Sequence, residues 1–113
     1  MLGQRAIGKP TILLVNQHTL SDGESFTEGY RALGLGKIVG EPTAGWVIFT
    51  SDQLLIDGTV YRVPGWKATT ASGENLERNS RNVDIRVDRP MGESYRGTDI
   101  QLETAVKTLL SQL

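Results

Sequence analysis

A serine at a predicted strand-to-helix corner is the residue of this sequence best placed to do chemistry. Ser21 follows an apolar run, Thr11 to Val15, that is typical of a buried strand. The segment after it has apolar side chains at helical spacing, namely Phe26, Tyr30 and Leu33. Such a corner exposes a hydroxyl and directs backbone N–H groups and the positive end of a helix at one point. The pattern therefore allows a nucleophilic serine.

The same residues also have the signature of a helix cap. Ser21 and Glu24 have the spacing of a capping box, with Ser at the N-cap position and Glu at N3. Because helix starts far outnumber active sites, the pattern taken alone favours this interpretation.

A nucleophilic serine also needs a base, and the sequence offers no clear one. His18 is the single histidine. It lies three residues before Ser21 on the same corner, where a base rarely aligns with the hydroxyl. We interpret it as a surface residue. Four lysines could also act as a base, but none has visibly apolar surroundings: Lys9, Lys37, Lys67 and Lys107.

Composition limits the remaining possibilities. The chain has 113 residues, which allows one domain at most. The absence of cysteine excludes disulfides, thiolate zinc sites and a cysteine nucleophile. A formal charge of −1 gives no reason to expect nucleic acid or anionic lipid as a partner. The longest apolar run, Ile12 to Val15, is too short for a signal peptide or a membrane span. We expect no metal and no cofactor, and the compartment stays open.

The first half of the chain predicts a parallel crossover unit. A buried strand over Ile12–Val15 is followed by a helix from about Asp22 to Leu33, which Gly34 ends. A loop leads to a short strand at Ile38–Val39. Strand, helix and strand in this order indicate an α/β fold.

The second half predicts a hairpin and a closing helix. Asp57-Gly58 is a strong turn signal between β-type runs, and Pro64 to Trp66 ends the hairpin. Thr98 and Gln101 have the spacing of a second capping box, at the start of the last helix. The other predicted segments are these: strands over Val47–Thr50, Gln53–Ile56, Thr59–Val63 and Val83–Val87, a possible strand over Lys67–Thr70, and apolar helix positions Leu102, Ala105, Val106, Leu109 and Leu113.

Five segments in order resemble the tail-specific or tricorn-type serine peptidases, whose catalytic core has a ClpP/crotonase-like fold. They are Pro10–Asn16, Thr19–Glu24, Leu33–Gly45, Gly73–Glu77 followed by Val83–Ile85, and Asp99–Val106. They correspond to the strand before the nucleophile, the nucleophile corner, the Thr-x-Gly loop, the late Glu-containing segment and the closing helix. The resemblance implies an α/β fold that is the C-terminal half of such a core: a strand-helix-strand unit, a β-hairpin and a C-terminal helix.

The resemblance also implies roles for particular residues. Ser21 corresponds to the nucleophile, and the backbone N–H of Asp22 to one oxyanion donor. Trp46 occupies the place of the lysine base in the Ser/Lys branch, so the histidine-dependent tricorn branch is favoured. Glu77 corresponds to the glutamate that helps to steer the histidine. Of the family's Gly-Val-x-Pro-Asp motif only Asp84 is present.

In the tricorn branch the histidine, its orienting serine and the second oxyanion donor belong to a segment before the first strand. We therefore expect residues 1–113 to be one partial peptidase domain that acts on peptides or proteins. We expect it to be inactive alone, and to form a homo-oligomer or pair with the missing half of the core.

Two other functions are compatible with the residues. In a non-catalytic crotonase-like module, Ser21 would only cap its helix, and Trp46, Phe49 and Trp66 would line a pocket for a hydrophobic small molecule. If these residues have only structural roles, Trp46 and Trp66 would pack as lids over the sheet. Glu74 and Glu77 would then belong to a solvated loop. The chain could also be an assembly unit whose uncovered sheet edges favour oligomers.

Overall fold

Two parallel strands and the helix between them form the centre of the molecule. The computed structural model describes residues 8–113. Its elements in chain order are β1 (Thr11–Val15), α1 (Asp22–Ala32), β2 (Gly36–Gly40), β3 (Ile48–Leu54), β4 (Val60–Lys67), β5 (Ile85–Arg86), a 3₁₀ turn (Glu93–Arg96) and α2 (Ile100–Leu110). Strand β2 lies between β1 and β5 and is parallel to both. The predicted crossover unit is confirmed.

The core lies where α1 covers the sheet. Val15, Tyr30 and Ile38 are buried together, and Leu13 and Val83 pack against them. Strands β1 and β2 approach closely at Gly40, where an added Cβ would lie 1.9 Å from the carbonyl oxygen of Val15. Only glycine fits there. As predicted, α1 ends before Gly34, which has a φ of 62°.

Strands β3 and β4 form an antiparallel hairpin that extends away from this core. Within residues 8–113 the hairpin packs against no other helix or strand. The radius of gyration is 17.5 Å, whereas a compact chain of this length has about 13 Å. The hairpin turn predicted at Asp57-Gly58 is confirmed: Gly58 has a φ of 82°, and Leu55 N–H donates to Thr59 O.

The predicted end of the hairpin at Pro64 to Trp66 is wrong, because β4 continues to Lys67. The pairing shifts by one residue there, with Trp66 opposite Phe49 and Pro64 opposite Thr50. This irregularity leaves Gly65 unpaired, and the outer edge of β4 tolerates a proline that cannot donate. The separate strand predicted at Lys67–Thr70 is also wrong, since Lys67 ends β4 and beyond it only Thr69 forms a single bridge, to Asn75.

The predicted capping box of α2 is wrong as well. Asp99, not Thr98, is the N-cap residue, and its carboxylate accepts from Leu102 N–H at 2.9 Å. The side chain of Gln101 is buried and donates to the carbonyl oxygen of Val87 at 2.8 Å. Within residues 8–113, no helix is both long and apolar enough to span a membrane.

Candidate active site

Ser21 lies at the corner between β1 and α1 in a strained backbone conformation. It has a φ of 54° and a ψ of −119°, a region that a residue with a Cβ rarely adopts. Ser21 is the N-cap residue of α1, but its side chain makes no capping hydrogen bond. The interpretation of Ser21 and Glu24 as a capping box is therefore wrong. The hydroxyl, which is half-buried, is available for another role.

The first N–H group of α1 is also available. Among the described residues nothing accepts from Asp22 N–H, whereas Gly23 N–H donates to Leu20 O and Glu24 N–H to Ser21 O. An unpaired N–H at the positive end of a helix is a suitable donor to a negatively charged oxygen. Gly23 has little space beside it, since an added Cβ would lie 2.9 Å from Cγ2 of Thr19.

Glu24 binds a loop instead of capping its own helix. Its side chain is completely buried. The carboxylate accepts three hydrogen bonds at 2.6 Å, from Thr43 Oγ1, Gly45 N–H and Trp46 N–H. Hydrogen bonds to a carboxylate are stronger than neutral ones. Glu24 thus holds the Thr-x-Gly loop, residues 43–46, against the start of α1.

Backbone hydrogen bonds complete this attachment. Ser21 N–H donates to the carbonyl oxygen of Trp46 at 2.9 Å, and Ala44 N–H donates to that of Thr19 at 2.9 Å. The Thr-x-Gly loop is therefore attached to the corner on both sides of Ser21.

Glu77 lies on a segment that contacts the same loop. Arg78 N–H, next to Glu77, donates to Gly45 O at 2.7 Å, and Arg78 has a φ of 63°. The Oε2 atom of Glu77 is buried and has no hydrogen-bond partner among the described residues. A buried acceptor without a partner is costly unless a donor arrives from elsewhere. The structure thus attaches Ser21 and the Glu77 segment to neighbouring residues, Trp46 and Gly45.

Arg81 anchors the Glu77 segment to α1. Its guanidinium, which is nearly buried, forms ion pairs with Glu28 on α1 at 3.0 Å and with Glu74 at 3.1 Å. Burial acts to lower the pKa of Arg81, but hydrogen bonds and charges from both glutamates outweigh it and raise that pKa. Two further hydrogen bonds join Arg81 to Thr43. Arg81 N–H donates to the side-chain Oγ1 of Thr43, and Thr43 N–H donates to Arg81 O.

Among the described residues, no histidine or lysine side chain forms a hydrogen bond with Ser21. His18 is exposed, and its only recorded hydrogen bond is from its backbone N–H to Asn16 Oδ1. It lines a cavity of about 210 Å³ with Arg89 and Tyr95, and Ser21 does not border this cavity. The four lysines proposed as alternatives are all exposed. Residues 8–113 also contain no cluster of three or more His, Cys, Asp or Glu side chains that could hold a metal ion.

Asp84 forms hydrogen bonds that join α1 to β2. Its carboxylate accepts from Ile38 N–H at 2.8 Å and from the guanidinium of Arg31 at 2.9 Å. Burial acts to raise the pKa of Asp84, but these hydrogen bonds and nearby positive charges outweigh it and lower that pKa. Asp84 therefore fastens the end of α1 to β2.

The aromatic residues do not form the pocket or the lids that the sequence suggested. Trp46 is 66% exposed and Trp66 is 73% exposed, so neither packs over the sheet. Phe49 lines a groove of about 630 Å³ between α1 and residues 68–72, and neither tryptophan lines it. Trp66 lies on the hairpin and is exposed because the hairpin packs against no other element of residues 8–113.

Sequence reasoning missed Glu24, Thr43 and Arg81, which join the parts of the site. Glu24 was assigned to a local cap because its spacing from Ser21 fits one. The contacts that fix these three residues join positions 19 to 38 apart in the chain. No local sequence pattern indicates these contacts.

A match to a family model identifies the family of this chain. Residues 3–87 match the model of peptidase family S41. The chain belongs to this family, and the predicted resemblance is confirmed.

The similar proteins within this family include tricorn proteases. The chain is 33% identical to the tricorn protease of Thermoplasma volcanium over 110 residues, which are 96% of this chain and 11% of that protein. It is 31% identical to the tricorn protease of Thermoplasma acidophilum over 104 residues, 90% of this chain and 10% of that protein. The chain thus spans about a tenth of the length of these relatives.

Solved structures confirm the α/β fold class. A crystal structure of the tricorn protease superimposes with a TM-score of 0.83 at 28% identity, over 89% of this chain and 10% of that one. The photosystem II D1 C-terminal processing protease gives a TM-score of 0.64 at 26% identity, over 72% of this chain and 21% of that one.

Proposed function

We propose that this chain carries the nucleophile of a serine peptidase, and that Ser21 attacks the carbonyl carbon of a peptide bond. One observation carries the proposal: Ser21 is the strained N-cap residue of α1, yet its hydroxyl caps nothing. A structural cap would use that hydroxyl and would have relaxed backbone angles. Membership of peptidase family S41 supports the same chemistry.

The reaction follows from these groups. A base takes the hydroxyl proton as Ser21 Oγ bonds to the carbonyl carbon, and the carbonyl oxygen becomes negatively charged. Asp22 N–H stabilises that oxygen. The protonated base then gives its proton to the leaving amine, which leaves an acyl group on Ser21. Water activated by the same base releases the acid and restores the serine.

The base comes from outside this chain, and Glu77 orients it. Among the described residues no histidine or lysine side chain forms a hydrogen bond with Ser21, and Glu77 Oε2 is a buried acceptor without a donor. An imidazole N–H from another segment would supply that donor. Residues 1–113 are then one partial domain, inactive alone, that pairs with the rest of the core. The formation of homo-oligomers remains a prediction. Size-exclusion chromatography at rising protein concentration tests it, and a monomer at every concentration would contradict it.

The proposal is tested in a complete core, in which this chain is joined to the segment that supplies the base. Ser21→Ala removes the attacking oxygen and should lower kcat by at least about 10⁴-fold. Ser25→Ala is the matched control, because Ser25 lies one turn further along α1 and should leave kcat unchanged. A Ser21→Ala core with more than a tenth of the normal kcat would contradict the proposal.

A further inference from the structure

The proposed reaction leaves unused the one glutamate whose side chain is completely buried beside the corner. Glu24 accepts three hydrogen bonds from the Thr-x-Gly loop. We propose that Glu24 is a positioning residue for catalysis: it fixes the backbone of Ser21 and Asp22 through this loop. This inference rests on the proposed function, since it concerns the same nucleophile.

The connection to Ser21 runs through the backbone of Trp46. Trp46 N–H donates to Glu24 Oε2, and the carbonyl oxygen of Trp46 accepts from Ser21 N–H at 2.9 Å. The direction of the Ser21 N–H bond sets φ of that residue, which is the strained angle. Because a strained conformation persists only where its surroundings over-determine it, the Glu24–Trp46 contact helps to hold the angle. Asp22 N–H belongs to the next peptide group, so its direction depends on the backbone angles of Ser21.

The connection to Glu77 runs through Thr43. Thr43 Oγ1 donates to Glu24 and accepts from Arg81 N–H at 2.7 Å. Arg81 in turn closes the segment that carries Glu77, as its N–H and carbonyl groups both pair with Thr43. A single buried carboxylate thus links the nucleophile corner with the segment that orients the base.

Glu24→Gln in the complete core tests this role with minimal change in volume. The side-chain amide can lie in two orientations, and in each of them its NH₂ group replaces an oxygen that accepts from a loop N–H. The N–H that loses its acceptor is that of Trp46 in one orientation and that of Gly45 in the other. Displacement of a reacting group by about 1 Å can cost about 100-fold in rate. We expect kcat to fall about 100-fold and KM to change less than about threefold, because the substrate still binds.

Tyr30→Phe is the matched control. Tyr30 is buried on the same helix, and the variant loses one hydrogen bond, from its hydroxyl to Thr11 Oγ1. It should lower the urea midpoint of unfolding and leave kcat within about twofold. A purely structural Glu24 would behave in the same way. Glu24→Gln with a lowered midpoint and a kcat near that of Tyr30→Phe would therefore overturn the inference.

Glu24→Asp gives a second test if Glu24→Gln does not fold. It keeps the carboxylate, but with one methylene fewer it cannot reach both Thr43 Oγ1 and Trp46 N–H. We expect kcat to fall at least about tenfold, and an unchanged kcat would overturn the inference. Failure of the proposed function is a separate result: Ser21→Ala would then keep its activity. If the Ser21→Ala core is inactive while the Glu24→Gln and Glu24→Asp cores are active, the positioning role is contradicted and the proposed function is not.

Discussion

The backbone of Ser21 has a conformation that is unfavourable for any residue with a Cβ. Its φ of 54° costs on the order of 1–3 kcal/mol, and no capping hydrogen bond offsets that cost. The contact from Ser21 N–H to Trp46 O keeps the residue in this conformation. The structure thus rules out a side-chain cap at Ser21, which the sequence pattern alone favoured.

Two substitutions at Ser21 distinguish strain from capping. Ser21→Ala keeps the Cβ and loses no capping bond, so the free energy of unfolding should change by less than about 0.5 kcal/mol. Ser21→Gly relieves the positive φ and should be more stable than Ser21→Ala by about 1 kcal/mol, after the entropy cost of glycine. Urea unfolding of both variants provides the measurement. A loss of about 1 kcal/mol in Ser21→Ala would restore the cap interpretation.

The sequence was sufficient to place Ser21 between a strand and a helix, but not to interpret Glu24. The apolar run before Ser21 and the helical spacing after it are local features, and both were predicted correctly. The partners of Glu24 are the hydroxyl and amide groups of residues 43, 45 and 46, far along the chain. A local pattern cannot show that a loop competes for a side chain that could also cap its own helix.

At the scale of elements, Asp84 joins the last turn of α1 to the start of β2. Arg31 belongs to α1 and Ile38 to β2, and both donate to this carboxylate. The contact lies at the opposite end of α1 from Ser21, so it maintains the packing of the helix on the sheet without touching the site.

Acid should weaken this attachment. Because the pKa of Asp84 is lowered in the folded chain, the unfolded chain binds a proton more readily. The stabilisation is fully present above the pKa of the unfolded chain, near pH 4, and is lost as pH falls through the lower folded pKa. Asp84→Asn should therefore be less stable than the natural chain at about pH 7, and the difference should shrink below about pH 4.

Urea unfolding between about pH 7 and pH 2 measures this difference. Asp88→Asn is the control, since Asp88 forms an exposed ion pair with Arg86 that contributes little. A difference between Asp84→Asn and the natural chain that does not vary with pH would contradict the assigned role of Asp84.

Element predictions succeeded where a local signal decided the structure and failed where distant contacts did. The parallel strands, α1 and the hairpin turn follow from apolar runs, Gly34 and Asp57-Gly58. The cap of α2 was assigned to Thr98 because Gln101 fits a capping box. In the structure Gln101 donates to Val87 and Asp99 caps the helix instead. Spacing alone could not choose between the two caps.

At the scale of the whole molecule, the chain has an extended shape. The hairpin extends away from the sheet and leaves large apolar side chains exposed, including Leu54 and Ile56. The relatives are about ten times longer than the aligned segment. Among the described residues, this hairpin has no packing partner and Glu77 Oε2 has no hydrogen-bond partner. Composition could not predict the extended shape, because it depends on which surfaces have partners.

The central claim is that Ser21 is a nucleophile whose base lies outside this chain. The most direct measurement is reaction with a fluorophosphonate, with the modified residue identified by mass spectrometry in this chain alone and in the complete core. We expect Ser21 to be phosphonylated rapidly in the complete core, and the chain alone to react no faster than its Ser21→Ala variant. Rapid modification of Ser21 in the chain alone, or an active core in which Ser21 stays unmodified, would contradict the claim.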